Sequence, residues 1–180
     1  MNHVATILIA LCLSSCACAA DVPMAGTSRC QGEPASDKTI QALHKDVERG
    51  DLFKFASAQF GAPVSCQVKF EASRDGGYFS RLTYRFEKGS ASFESFPPES
   101  AVITLEAGEG FAQEAAVRAA FQGLNSVKQF RIDWQRKPDV STDKGERMER
   151  YSTSAQGTNA MADFISKGGK LVRISLHYAL

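Results

Sequence analysis

The clearest alternation of apolar and polar residues lies in the first half of the chain. From Cys66 to Ala72 every second residue is apolar, and the same period of two returns from Tyr78 to Glu87. The turn sequence RDGG (74–77) separates the two stretches. Alternation on both sides of a glycine turn is typical of a β-hairpin with one solvated face. We expect further strands at Ala91 to Phe96 and at Ala101 to Glu106.

Helical spacing precedes and follows this run of strands. Residues 37–47 carry apolar side chains at intervals of three and four, which predicts an amphipathic helix. A second short helix begins at Asp51 and ends at Gly61, with Pro63 preventing its continuation. The Ala-rich stretch from Gly108 to Gly123 predicts another amphipathic helix.

The second half of the chain repeats this mixture of patterns. Alternation predicts a strand from Val127 to Trp134 and a weaker one from Arg147 to Thr153. We expect a short helix after Asn159 that contains Met161, Phe164 and Ile165 and is ended by two glycines. The last ten residues predict a strand with inward side chains at Val172, Ile174, Leu176, Tyr178 and Leu180.

The predicted elements favour the α+β class. Runs of strands interrupted by a few helices are typical of a single domain in which an antiparallel or mixed β-sheet is packed by helices on one face. Each half also opens with a helix, a glycine and an alternating strand, at Phe60-Gly61 and at Gln122-Gly123. That similarity is too short to indicate a repeat by itself.

The first twenty residues predict a secretory signal peptide. Val4 to Leu13 is almost continuously apolar and too short to span a bilayer. Ala17-Cys18-Ala19 suits ordinary signal peptidase, whereas Leu13-Ser14-Ser15-Cys16 is similar to a bacterial lipobox that would lipidate Cys16. Residues 21–36 follow as an extended segment, and 37–180 form the predicted domain.

The cysteines depend on which cleavage occurs. Ordinary cleavage leaves only Cys30 and Cys66, which we expect to pair in an oxidising compartment. Lipidation at Cys16 would instead leave Cys18 as an additional thiol.

Composition narrows the classes of partner. The formal net charge is +1, so nucleic acid and anionic membrane lose their usual electrostatic attraction. We expect no nucleic acid partner, and membrane contact only through a lipid on Cys16. The sequence shows no cofactor motif, and no histidine or further cysteine lies at metal-ligand spacing beside Cys30 or Cys66. We predict neither a metal nor a cofactor.

Few residues offer catalytic chemistry. His44 and His177 are the histidines that remain beyond the leader, and both lie on predicted polar surfaces. Glu94 and Asp133 are candidates for the carboxylate pair of a hydrolase only in the loose sense that both fall on predicted strands. The tripeptide Arg49-Gly50-Asp51 is explained as one helix end followed by the start of the next. We therefore predict no catalytic residues.

Basic side chains on outward strand positions are the best functional indication. If these residues share one face of the sheet, that face would suit an acidic partner surface or an anionic glycan. The predicted binding residues are Lys69, Arg81, Arg85, Arg131, Arg173 and His177. The alternative is a solvated face with interspersed carboxylates.

The first half resembles two kinds of exported protein. A helix, then Phe60-Gly61-Ala62-Pro63, then strands containing YRFEKG (84–89) is similar to small envelope lipoproteins that assist outer-membrane protein assembly. It is also similar to secreted enzyme-inhibitor domains of αα-β build. The resemblance is confined to this half and rests on common residue types.

The sequence thus favours a non-catalytic, exported domain that binds another exported or envelope protein, in the bacterial periplasm or exterior. An inhibitor or immunity-type protein is one concrete version. A small secreted hydrolase and a structural envelope lipoprotein are the alternatives. The sequence does not define the oligomeric state.

Overall fold

The computed structural model describes Cys30 and residues 47–72, 78–96, 100–137, 140–141, 145–153 and 159–179. The predicted signal peptide, Cys16, His44 and the segment 21–36 apart from Cys30 lie outside these residues. So do the RDGG turn and the predicted first helix, except for its last turn at 47–49.

Strands dominate the described part of the chain. The helices are α1 (Asp51–Phe60), α2 (Glu114–Gly123) and α3 (Asn125–Lys128). The strands are β1 (Pro63–Ala72), β2 (Tyr78–Phe86), β3 (Gly89–Phe96), β4 (Ser100–Ala107), β5 (Ile132–Asp133), β6 (Val140–Ser141), β7 (Glu146–Thr153), β8 (Asn159–Lys167) and β9 (Lys170–Ala179).

All nine strands belong to one antiparallel sheet. Their order is β1-β2-β3-β4-β9-β8-β7-β5, and β6 pairs with β7 beside β5. The sheet is therefore antiparallel rather than mixed. The predicted α+β class holds only in outline, because short helices accompany a sheet that forms most of the structure.

The predicted helix after Asn159 is wrong, because this segment is strand β8. Ala160, Ala162 and Phe164 are buried at alternate positions, which is the period of a strand. β8 pairs with β7 on one side and β9 on the other. Ile165 is buried on the opposite face, so buried side chains on both faces of this strand mimic helical spacing.

The predicted strand from Val127 to Trp134 is largely wrong, because its first two residues belong to a short helix and a turn follows. α3 ends at Lys128, and strand geometry is limited to β5. The carboxylate of Asp51 accepts a hydrogen bond from the backbone N–H of Ser126 at 3.1 Å and another from its hydroxyl. An acceptor at the start of α3 satisfies N–H groups that have no partner within the helix.

A bulge in β9 changes which residue enters the core. Arg173 pairs with Ile165 and Leu171 pairs with Ser166, so Val172 is the additional residue. Leu171 is completely buried, where the alternation predicted Val172. An extra residue reverses the facing of every position beyond it.

The apolar side of the sheet contacts the helices. Paired residues on neighbouring strands share a face, and the row Tyr84, Ala91, Leu105, Ile174 and Phe164 defines the helix-side face. All five of these residues are at most 1% exposed. The aromatic rings of α1 and α2 contact this row, with Phe53 4.7 Å from Tyr84 and Phe121 5.7 Å from Phe164 between ring centroids.

The two halves of the sheet have the same internal order. Counted from either edge inward, the strands are β1-β2-β3-β4 and β5-β7-β8-β9, and the halves meet where β4 pairs with β9. Thr104 and Ser175 face each other there and are 71 residues apart. Four pairs of identical residues have that same separation: Ala91 and Ala162, Phe93 and Phe164, Ile103 and Ile174, and Leu105 and Leu176. The chain therefore contains a structural repeat.

The start of each half follows the same plan. Phe60 is buried and is followed by Gly61 at φ 88°, and Phe130 is buried and is followed by Arg131 at φ 48°. The structure thus aligns Phe60 with Phe130, eight residues beyond the Gln122 that the sequence similarity suggested.

The predicted disulfide is present between Cys30 and Cys66. It closes a loop with a sequence separation of 36 residues onto β1. Chain-entropy arguments give about 4 kcal/mol of stabilisation for closing a loop of this size.

We expect reduction of this disulfide to lower the free energy of unfolding by about 4 kcal/mol, as measured by urea denaturation with and without reductant. The Cys30→Ser/Cys66→Ser variant should be insensitive to reductant, and equal stability of the reduced and oxidised protein would contradict the expectation.

Asp51 makes the free energy of unfolding depend on pH in the acidic range. Burial raises the pKa of this carboxyl, but hydrogen bonds from Ser126 and Asn125 outweigh burial and hold the pKa below its ordinary value of 3.8. A lowered folded-state pKa gives stability that is present above pH 3.8 and is lost as the pH falls through the folded-state value.

We expect Asp51→Ala to lower the free energy of unfolding by about 1 kcal/mol at neutral pH and by less in acid, as measured by urea unfolding from pH 7 downward. Ser126→Ala is the matched control, because it removes the hydroxyl hydrogen bond but keeps the backbone N–H donor, so it should lose only a part of that increment. A cost of Asp51→Ala that stays constant across this pH range would contradict the assignment.

Candidate functional site

The face opposite the helix-side face is lined with polar residues. Strand register places Lys69, Arg81, Glu94, Val102, His177 and Met161 in one row. A second row contains Gln67, Thr83, Ser92, Thr104, Ser175, Asp163 and Arg150. A third contains Ser65, Arg85, Ser90, Glu106, Arg173, Ile165 and Met148. These three rows define the polar face.

Five of the six predicted binding residues lie on the polar face. Lys69, Arg81, Arg85, Arg173 and His177 occupy its first and third rows. Arg131 does not, since it precedes β5 in a left-handed backbone conformation and is exposed in a turn. The predicted strand at 127–134 would have placed it outward, and the presence of α3 removes that strand.

Carboxylates balance much of the positive charge on this face. Arg81 contacts Glu94 at 2.7 Å, and Arg173 contacts Glu106 at 3.1 Å and Glu146 at 3.7 Å. Lys69 and Arg85 remain exposed. The polar face therefore carries several ion pairs, together with the exposed cations Lys69 and Arg85 near one edge. It is not uniformly basic.

A buried carboxylate lies at the centre of the second half. Asp163 is 3% exposed although it belongs to the polar face. Its Oδ1 accepts a hydrogen bond from Arg150 Nε and its Oδ2 one from Arg150 Nη2, both at 2.8 Å. His177 Nε2 lies 3.7 Å from Oδ2. The side-chain hydrogen bonds to Asp163 raise the pKa of Arg150 above its ordinary value.

A partly buried hydroxyl pair adjoins this centre where the two halves meet. Ser175 is 6% exposed, and its Oγ lies 3.4 Å from Oγ1 of Thr104. Ser175 also pairs with Asp163 across β9 and β8. Hydroxyl groups can donate and accept at once, so this pair satisfies polar atoms that the burial would otherwise leave unpaired.

The sequence did not predict Arg150, Asp163 or Ser175 as a cluster. The expected helix after Asn159 placed Asp163 on no particular face. A signal was present, because Ala160, Ala162 and Phe164 alternate and leave Asp163 on the other face of a strand. Pairing with Arg150 depends on strand register, which a single sequence does not define.

The repeat provides an internal comparison for this ion pair. Ser92 occupies the position in the first half that Asp163 occupies in the second, 71 residues apart like Thr104 and Ser175. Thr83 faces Ser92, as Arg150 faces Asp163. The first half thus forms the same three-strand arrangement with neutral hydroxyls, so the fold itself does not require an ion pair at this place.

Glu94 and Asp133, the two carboxylates considered for the alternative hydrolase, do not form a pair. Glu94 on β3 and Asp133 on β5 are separated by four strands in the sheet order. Glu94 is bound to Arg81, and Asp133 Oδ1 accepts a hydrogen bond from the backbone N–H of Gln135 at 3.1 Å. Each carboxylate has its own local partner, so these two acids do not share a site.

A second charged cluster links α2 to the helix-side face. Arg118 contacts Glu114 at 2.7 Å and Glu149 at 3.1 Å, and its guanidinium lies 4.5 Å from the ring centroid of Phe164. Burial, and then the charge of Glu149, raise the pKa of Tyr151. These contacts fix α2 against β7 and β8 on the side away from the polar face.

A cavity opens beside Arg85 at one end of the polar face. It measures about 730 Å³ and lies between the β2–β3 turn and the loop before α2. Phe60, Phe86 and Phe111 form its apolar wall, with Glu87 and Lys88 among its charged lining residues. A protein segment that reached past Arg85 would meet this cavity.

Comparison with known proteins gives no relative. The chain matches no protein-family model, no curated protein and no solved structure. Among the helices described above, none is long and apolar enough to cross a membrane. Within the described ranges, no three His, Cys, Asp or Glu side chains are placed to hold a metal ion.

The Arg150–Asp163 pair yields a test of the repeat comparison. Arg150→Thr would leave the buried Asp163 charge without its partner, and we expect it to lower stability by about 3–5 kcal/mol. Adding Asp163→Ser, which installs the residues of the first half, should recover most of that loss. Urea denaturation of the two single variants and the double variant measures the coupling between them. A double variant as unstable as Arg150→Thr would contradict the equivalence of the two halves.

Proposed function

We propose that the protein is an exported, non-catalytic binding domain that docks another exported or envelope protein on its polar face. An inhibitor or immunity-type protein that neutralises an exported enzyme is the concrete form of this function. The observation that carries the proposal is the division of the sheet into a helix-side face and a polar face that bears five of the predicted binding residues.

Helix packing supports this division. Phe53 and Phe60 of α1 contact Tyr84 and Phe86, and Phe121 of α2 contacts Phe164. These strand residues all belong to the side of the sheet opposite the polar face. We therefore infer that the helices in the described residues pack on one face and that the polar face is available for a partner.

The size of the polar face suits a protein partner. Seven strands lie side by side in the sheet, in the order β1, β2, β3, β4, β9, β8 and β7. At a spacing of about 4.8 Å they make a surface roughly 29 Å wide. Strands of eight residues rise about 26 Å, so the face covers about 750 Å². Stable interfaces bury about 800 Å² per partner, whereas a small molecule would use only a fraction of this area.

The ordered charges support recognition of a specific partner surface. Arg81 and Arg173 are held by carboxylates before any partner arrives, so less side-chain entropy is lost on binding. Fixed charges of both signs select a partner with the complementary arrangement and disfavour others. The Cys30–Cys66 disulfide supports export, since such bonds persist in oxidising compartments.

The test uses affinity capture from envelope and culture extracts with the tagged protein, expressed from its full-length coding sequence. Lys69→Glu/Arg85→Glu changes two exposed cations on the polar face. Lys128→Glu/Arg131→Glu changes two exposed cations away from it, so both variants carry the same net charge. We expect one stoichiometric partner that the first variant loses, by at least tenfold in affinity, and the second retains.

Each other outcome contradicts a part of the proposal. Equal capture by both variants would argue against the polar face as the docking surface. Equal loss in both would indicate that net charge, rather than this face, determines binding. Failure of the wild-type protein to retain any partner would argue against a protein-binding function.

A further inference from the structure

The ion pair in the second half has no counterpart at the equivalent place in the first half, where the residues are neutral. The first half places Thr83 and Ser92 where the second half places Arg150 and Asp163. Burying a charge costs free energy unless it is well paired, so neutral hydroxyls are the less costly solution for this fold. A costly pair at a position where the fold does without one indicates a role other than folding.

The contacts of Asp163 define what Arg150 offers to solvent. Arg150 uses Nε and Nη2 to bind the carboxylate of Asp163. Its third guanidinium nitrogen, Nη1, takes no part in this pair. The side chains of Arg150 and His177 are each 35% exposed, and that of Asp163 is 4% exposed. The acid is thus enclosed, and the two nitrogen-bearing side chains that contact it are the parts that a partner can reach.

The surroundings of this cluster resemble the centre of a protein interface. His177 lies between Val102 on β4 and Met161 on β8 in the same row. Met148 contacts Arg150, with its sulfur 3.8 Å from Nη2. Apolar neighbours exclude water when a partner docks and strengthen a central arginine contact.

We propose that Arg150 and His177, positioned by the buried Asp163, form a binding site for a single carboxylate of the docked protein. This inference rests on the proposed function and names the group that the polar face recognises. Asp163 already balances the charge of Arg150, so the cluster carries at most one net positive charge. A carboxylate matches that charge, whereas a phosphate brings about two negative charges and would be left partly uncompensated.

The experiment uses the ¹⁵N-labelled protein and two short peptides, acetyl-Gly-Glu-Gly-amide and its glutamine counterpart. The Glu peptide should shift the Arg150 Nε–H and His177 imidazole resonances in a saturable manner, and the Gln peptide should not. Arg150→Thr/Asp163→Ser should abolish the His177 shift. Arg118→Gln/Glu114→Gln is the matched control, since it removes an ion pair on the helix side of the sheet without touching Asp163 or the polar face, and should retain both shifts.

Two results would overturn the site. Equal shifts with both peptides, or none with either, would show that a carboxylate is not recognised. A His177 shift that persists in Arg150→Thr/Asp163→Ser would place the contact elsewhere.

Capture of the partner separates this inference from the proposed function. If Arg150→Thr/Asp163→Ser retains a partner that Lys69→Glu/Arg85→Glu loses, the docking face stands and the carboxylate site is wrong. If the peptides bind as expected and the wild-type protein captures no partner, the site stands and the protein-binding function is wrong.

Discussion

The pairing of β4 with β9 is the constraint on which the polar face depends. It is formed by seven residue pairs from Ser100–Ala179 to Glu106–Arg173, and it joins the two halves into one sheet. Strands about seventy residues apart carry a substantial loop-closure cost. Burial of Leu105, Ile174 and Leu176 on the helix-side face offsets that cost. Without this pairing, Thr104 would not meet Ser175, and neither half would present a surface wide enough for a protein.

Local patterns predicted the first half of the sheet well and the second half poorly. The stretches at Cys66 to Ala72 and Tyr78 to Glu87 alternate cleanly because one of their faces is solvated. β8 does not, because Asp163 and Ile165 are buried on one face and Phe164 on the other. A strand with buried side chains on both faces lacks the alternation of apolar and polar residues by which a strand is predicted.

Other differences arise from tertiary contacts that no local pattern contains. α3 forms because the distant Asp51 accepts its N–H groups, and the bulge at Val172 depends on the partner strand. For the candidate site, alternation identified Lys69, Arg81, Arg85, Arg173 and His177 correctly as members of one face. It did not identify the pairing of Arg150 with Asp163, which requires the register between β7 and β8.

The two edges of the sheet differ from its centre in a way that bears on self-association. β1 begins with Pro63, has an irregular register between Pro63 and Ser65, and directs Lys69 outward. Among the described residues, the other edge of β7 pairs with β5 and β6, which are each two residues long. Proline, a bulge, an outward lysine and very short strands are the features that stop a further strand from adding to a sheet. The protein can therefore keep a broad sheet without offering a template for fibrils.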